Sequence, residues 1–218
     1  MIPSLARYRA AGDGDSAYTA LLLHFDEAGT VVDSGKYGLI PTVSGGAQNT
    51  SISKFGGSSR DSWGYVSFSD ARLVAGSQPV TVSAWVYPTG FGSQNFIFDS
   101  RNGGGTASGF LMYLNSSGHL AASFGGGDIF STDPLTVHTL NHVELGYDGT
   151  TLYMFLNGVL ENTLTFSTTM SSPTWVIGAA QFFPVGVDAF AGCIDEYRVL
   201  IGKCDHTASF TPPATAYS

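Results

Sequence analysis

Charge is what this sequence has least of. Only 12% of its 218 residues are Asp, Glu, Lys or Arg, about half the usual share of roughly 25%. Three Lys and four Glu stand against thirteen Asp and six Arg. Long helices and coiled coils need Glu and Lys on their outer faces, so that class of protein is excluded. Nine cations against seventeen anions leave a net charge of −8. A chain so short of Lys and Arg has no electrostatic footprint for a phosphate backbone, and nucleic acid is not a predicted partner. Cysteine is nearly absent. Cys193 and Cys204 are too few for a disulfide framework; they could pair if the chain turned back between them, or stand as two separate thiols. The two-thiol reading is preferred because nothing in the sequence points to an oxidising compartment. No CxxC or Cys/His cluster offers a zinc pattern. Long apolar runs are missing as well. No stretch of about 18 apolar residues occurs, so no membrane span is predicted. No apolar segment follows the first basic residues, so no secretory signal peptide is predicted.

What is present is glycine, 28 residues of it, with 13% aromatics and a hydrophobic share of 43%. That composition builds a sizeable core and excludes global disorder. From Leu21 onward the chain reads as short strands between turn signals. Val80–Tyr87 alternates, with Val80, Val82, Ala84 and Val86 on one face. Further strands are predicted at 21–25, 65–68, 96–98, 110–114, 120–124, 141–147, 152–156, 159–166, 175–178 and 193–199. Asn157-Gly158 between two of them is a strong hairpin signal. Asp148-Gly149 and Asn115-Ser116-Ser117-Gly118 mark two more turns. No apolar period of 3.6 persists, and only Asp70–Ala75 reads as one helical turn. Leu152–Leu156 is apolar on both faces, which predicts a central strand whose second face is covered or curved around loops. The fold class is therefore all-β, a single two-sheet antiparallel β-sandwich. Residues 1–19, polar and aperiodic, form an N-terminal arm or linker before a domain spanning 20–218. The arm carries Arg7 and Arg9, which are candidates for contact with a partner subunit.

Seven segments occur in a telling order: Leu21–Asp26, Lys54–Ser59, Val82–Pro88, Leu156–Val159, Val176–Gly178, Gly192–Val199 and Phe210–Pro213. Together they resemble the laminin-G-like, concanavalin A-like jelly-roll family, particularly the variety found in bacteriophage structural proteins. The resemblance covers about residues 20–217. It implies a non-enzymatic virion structural protein, assembled in the host cytoplasm as a decoration, fibre or tail-associated subunit. Its partners would be other virion proteins or identical subunits, with a surface able to meet cell-surface glycans. The alternatives are a stand-alone carbohydrate-binding, lectin-like module and a polysaccharide-acting enzyme.

The enzyme reading is the weakest of the three. Glycoside hydrolysis needs two carboxylates about 5–10 Å apart, and the Glu-x-Asp-x-x-Glu array that hydrolases of this sandwich carry is missing. Asp26-Glu27 and Asp195-Glu196 are sequence neighbours, so on a strand they point to opposite faces, one structural and one solvated. His138 and His142 would lie about 13 Å apart on a strand, too far for one metal. His24, His119 and His206 read as ordinary structural residues. Gly103–Gly105 and Gly125–Gly127 precede no helix and read as loops rather than phosphate cradles. Two readings of the abundant Asp stay open. Either these residues terminate strands and cap turns, or, as the resemblance implies, the first and last strands lie side by side and hold a structural calcium through Asp26, Asp195 and Asp33.

The aromatics divide into two sets. Trp85, Phe98, Tyr113, Phe124, Phe155 and Phe166 are predicted core. Trp63, Phe91, Phe182 and Phe183 fall in or beside loops, as candidates for partner or glycan contact. The segment Gln181–Asp188 is apolar for a loop and offers Gln181 as its main hydrogen-bonding side chain. It is therefore read as a protein–protein contact ahead of a sugar site or plain packing.

Overall fold

The computed structural model describes residues 15–61, 64–92, 94–101, 109–124, 127–181 and 188–218. Fifteen strands follow one another: β1 Thr19–Leu23, β2 Thr42–Gly45, β3 Gln48–Asn49, β4 Ser59–Asp61, β5 Gly64–Ser69, β6 Val80–Pro88, β7 Gln94–Asp99, β8 Leu111–Asn115, β9 His119–Phe124, β10 Gly127–Pro134, β11 Asn141–Tyr147, β12 Thr151–Leu156, β13 Val159–Thr165, β14 Thr174–Ile177 and β15 Gly192–Ile201. A 3-10 turn at Ala71–Leu73, capped by Asp70, lies between β5 and β6. All pairings between these strands are antiparallel. The first sheet runs β13-β12-β11-β6-β15-β4-β3, with β1 also on β15; the second runs β10-β9-β8-β7-β14-β5-β2.

The alternation read in Val80–Tyr87 decides which face of β6 enters the core. Val80, Val82, Ala84 and Val86 all pack between the sheets. They meet a dense aromatic group from the second sheet, where the Phe110 and Phe124 rings stack at 4.5 Å and Phe98 lies 5.7 Å from Trp175. The Asn157-Gly158 hairpin forms as predicted, both residues at positive φ, the geometry that matches the twist of the flanking strands.

Three central strands of the first sheet, β6, β11 and β15, are buried on their outer faces too. The cover is the C-terminal chain after β15, which has no regular secondary structure. Phe210 lies between His206, stacked at 3.5 Å, and Phe155 at 5.2 Å. Tyr217 shares a hydrogen bond of 2.7 Å with His142 Nε2. The sandwich thus has a third, thin layer. Phe155, predicted as core, is buried under this strap, Trp85 packs against Lys54, Phe55 and His142 rather than between the sheets, and Tyr113 belongs to a separate cluster on the outer face of the second sheet.

Four strands were not foreseen. β2, β3 and β4 are short and polar, and β10 is interrupted by Gly127, Asp133 and Pro134. Each but β4 is an edge strand, where half of the chain faces solvent and Pro is tolerated. The domain also starts earlier than residue 20. Asp15 is 3% exposed and pairs with Arg198 at 3.0 Å and with Lys203. Arg7 and Arg9 lie outside the described residues. Both cysteines are free thiols.

Candidate functional site

Two places concentrate polar chemistry. The first is the seam where β1 runs beside β15, with Leu21↔Val199 and Leu23↔Tyr197 in register. Three of the ordered segments meet there. Asp195 Oδ2 accepts from the backbone N–H of Lys54 at 2.6 Å and of Phe55 at 3.4 Å. Ser58 Oγ donates to the Phe25 carbonyl, and Gln48 Nε2 donates to the Asp26 carbonyl. Gly56, at φ +66, lies against the Asp26 carboxylate, and a Cβ there would overlap it. Glycine is therefore required at this position for both reasons.

The Asp195-Glu196 pair departs from the predicted one-in, one-out arrangement, since both residues are fully buried. The register shifts between Asp195 and Arg198, and Glu196 takes φ +49. This irregularity sends Glu196 to His24 Nδ1 at 2.9 Å and to the Tyr217 N–H at 2.9 Å. Burial, joined by the charges of Glu196 and Asp26, pushes the Asp195 carboxyl up to about 7 against the pull of its two amide donors. Burial raises Asp26 as well. His24 loses basicity to burial, but its Glu196 partner raises it above the ordinary value.

The seam does not gather the predicted calcium ligands: among the described residues, the carboxylates and imidazoles that place three ligand-type atoms within 4.8 Å of one another are Glu144, Asp205 and His206, not Asp26, Asp33 and Asp195. Asp26 Oδ1 and Glu27 Oε2 are buried oxygens without a hydrogen-bond partner, and hard cations take such oxygens. Asp33 does not join them. Its Oδ1 accepts from Leu22 and Gly35 N–H, and its Oδ2 accepts from Leu39 N–H at 2.7 Å. Asp33 is a staple for the 33–39 loop.

Under the strap, Glu144, Asp205 and His206 place ligand-type atoms within 4.8 Å of one another, beside a cavity of about 300 Å³. Asp205 is already paired with Arg198 at 2.7 Å and Lys203 at 2.6 Å, and Glu144 with His206 at 2.8 Å. The group is an internally neutralised network that ties the chain near Asp15 and the strap to β15. His142 on β11 stays neutral, its pKa driven down to about 3 by burial. His138 is not on the strand but in the preceding turn, at φ +56.

The second place is the outer face of the second sheet. Phe98, Met112 and Ala122 face the core, so their strand neighbours face outward. Register lines the outward residues into two rows. Phe130, Ala121, Tyr113 and Phe96 make an aromatic row; Asp128, Ser123, Leu111 and Asp99 make the row beside it. Phe96 and Tyr113 stack at 5.4 Å and are covered by Ala180. At the other end the Phe130 ring is 42% exposed. Between Phe130 and Tyr113 lies Ala121, which is fully buried, so the accessible part of this face is the Phe130 ring with Ser123 and Asp128 in the next row. The Tyr113 hydroxyl is raised by burial and by the Asp128 charge, and bonds to Gln94.

At the far end, Asp99 grips Arg101 through Nε at 3.0 Å and Nη2 at 2.7 Å. It also accepts the Gln181 N–H at 3.0 Å. Gln181, one of the predicted contact residues, is thus anchored here by its backbone. Phe91 is not an open contact ring, since it packs against the core and against Gly118, where a Cβ would strike it. Trp63, Phe182 and Phe183 lie outside the described residues. None of Phe130, Ala121, Ser123 and Asp128 was singled out from the sequence. The one available signal was the strand pairing that places them together.

A family model described as the concanavalin A-like lectin/glucanases superfamily (Laminin_G_3) matches residues 60–202. A search of the curated proteins finds no match. Among solved structures, the chain is similar to domain 4 of AbnA, a GH43 extracellular arabinanase from Geobacillus stearothermophilus, solved in complex with arabinotriose. Identity is 18% and the TM-score 0.63, over 86% of this chain and 94% of that one. It is also similar to the botulinum neurotoxin serotype G binding domain, at 12% identity and TM-score 0.64, over 85% of this chain and 48% of that one. A third is the binding domain of botulinum neurotoxin DC in complex with SialylT, at 15% identity and TM-score 0.61, over 87% and 49%. The chain spans about half the length of these neurotoxin domains. No helix among the described residues is long and apolar enough to cross a membrane. By its matched segment and its fold, the chain belongs to the Laminin_G_3 family of concanavalin A-like domains.

Proposed function

We propose that this chain is a non-catalytic recognition domain, a virion subunit of decoration, fibre or tail-associated type that presents the outer face of its second sheet to a cell-surface glycan. One observation carries the reading: an aromatic row and a polar row lie side by side on that face, with an exposed ring at one end. Sugar sites combine an apolar platform with a few fixed polar groups, and the exposed Phe130 ring with Ser123 and Asp128 in the next row offers both. The non-catalytic part is supported by the state of the nearest carboxylate pair. Asp99 is held by Arg101 and Gln181, which leaves Asp128 without a second free carboxylate to work with.

The virion setting rests on the order of the seven segments, and its partners are other virion proteins or identical subunits. A carbohydrate-binding module outside any particle is the second reading, favoured by the near-complete coverage of the arabinanase domain. Mass spectrometry of purified particles separates the two. Recovery of the chain from particles supports the virion reading, and a monomer absent from them replaces it with the module. At the seam, a structural calcium would draw on the unpartnered oxygens of Asp26 and Glu27. Chelation is expected to lower the melting temperature, and an unchanged value removes the ion.

A further inference from the structure

The cavity under the strap holds more hydrogen-bonding capacity than the network around it uses. It measures about 300 Å³, the lower end of the range for small-molecule sites, roughly 300–1,000 Å³. Glu144 of β11 and Arg198 of β15 line it from the outer face of the first sheet, and the strap supplies Phe210, Thr211, Pro213 and Thr215. The charged groups of this lining are paired with one another: Arg198 and Lys203 with Asp15 and Asp205, and His206 with Glu144. Other polar atoms are not engaged. Glu144 is 1% exposed, and its Oε1 bonds to His206 Nδ1 at 2.8 Å. Among the described residues, no hydrogen bond reaches Glu144 Oε2, His206 Nε2 or the hydroxyls of Thr211 and Thr215. A free carboxylate oxygen in such a recess is a strong acceptor, and Phe210 and Pro213 supply apolar wall beside it.

We infer that this cavity is a second binding site, which takes one neutral, hydroxyl-rich ring: a free monosaccharide or a cyclic polyol. The unengaged groups are of both kinds. Glu144 Oε2 accepts, His206 Nε2 donates when the ring is protonated, and each threonine hydroxyl does either. Sugar hydroxyls, which also donate and accept, match such a set. A charged ligand meets ions that already have partners and must break a buried pair to gain one, which is costly. Size sets the other limit, since the space holds a single ring rather than a chain. The site lies on the other sheet from Phe130 and stands apart from the reading of that face. Its ligand bridges Glu144 of the sheet to Thr211 and Thr215 of the strap, so occupancy fastens the strap to the sheet.

The test is an amide chemical-shift titration of the isotope-labelled chain with glucose, galactose, mannose, N-acetylglucosamine and myo-inositol. Glucuronic acid and glucosamine serve as charged counterparts, and wild type is compared with Thr211→Val/Thr215→Val. At least one neutral ring is expected to shift the amides of Glu144, Thr211 and Thr215 and to raise the melting temperature. The valine variant should weaken that binding at least tenfold. Its melting curve without ligand should superimpose on wild type, because both threonines are exposed. A panel in which no neutral ring binds overturns the site and leaves the reading of the Phe130 face standing. Binding that ignores the valines, or that shifts Asp128 and Phe130 instead, overturns its location. Glucuronic acid or glucosamine bound as tightly as the neutral rings overturns the preference for neutral ligands.

Discussion

The seam and the outer face of the second sheet are built in opposite ways. At the seam the polar side chains are closely engaged, one oxygen each of Asp26 and Glu27 excepted: Asp195 takes two backbone amides, Glu196 bridges His24 and Tyr217, and Arg198 joins Asp15 to Asp205. It is buried, charged and interlocked, and it closes the domain by tying the first strand, the last strand and the strap together. The outer face of the second sheet instead presents one exposed ring, Phe130, and the short polar side chains of Asp128 and Ser123 at its β10 end. The difference teaches where change is tolerated. A region that holds the chain ends together is sensitive to every atom, whereas a recognition face on a finished sheet can alter its side chains at small cost in stability.

Substitutions can sharpen or break this contrast. The largest effect is expected from Arg198→Met, which leaves Asp15 and Asp205 buried beside Lys203 alone. Removing one member of a buried ion-pair group costs about 3–5 kcal/mol, read from denaturant unfolding; a loss below about 1 kcal/mol would mean that the network is dispensable. Next comes Gly56→Ala, which forces a Cβ into the Asp26 carboxylate at positive φ. Such overpacking and strain cost roughly 1–3 kcal/mol.

A pH measurement probes the same seam more finely. Asp195 titrates near 7 in the folded chain and near 3.9 when unfolded. It therefore holds its proton more tightly when folded. Its contribution to stability is complete below about pH 4 and drains away as pH rises toward 7, by at most about 1.4 kcal/mol per unit. In calcium-free buffer, Asp195→Asn should flatten this slope relative to wild type. His24, His142, Glu144 and His206 are common to both proteins and cancel in the comparison. An identical slope would contradict the assignment. The smallest effect on stability belongs to Phe130→Ala, expected within about 0.5 kcal/mol for an exposed side chain, while glycan binding is lost.

The seam was largely legible because its residues occur as contiguous words. Leu21–Asp26, Lys54–Ser59 and Gly192–Val199 each carry several residues of the contact, and Gly56 must be glycine where the chain passes Asp26. Two details escaped. Asp33 serves its own loop, which only three-dimensional proximity reveals. Glu196 is turned by a local shift in register to the strap-covered face, where it meets Tyr217, so strict alternation gave it the wrong face. The outer face of the second sheet was illegible for a different reason. It takes one or two residues from each of three or four strands, each unremarkable in its own segment, and β10 was hidden by its Gly, Asp and Pro. Only the pairings Phe130↔Ala121 and Ala121↔Tyr113 bring them into a row. The strap shows a middle case. Leu152–Leu156 implied a cover for its second face, and Phe210 provides it, but nothing in the sequence named the covering segment.

The central claim is that a glycan chain is recognised on the outer face of the second sheet, away from the seam and strap. The most direct measurement is a map of backbone amide chemical shifts during titration with an oligosaccharide that binds. The account predicts shifts concentrated on β8 to β10, at Tyr113, Ala121, Ser123, Asp128 and Phe130, with the strap unmoved. Shifts confined to the strap and seam, around His206, Phe210, Tyr217 and Glu196, would contradict it.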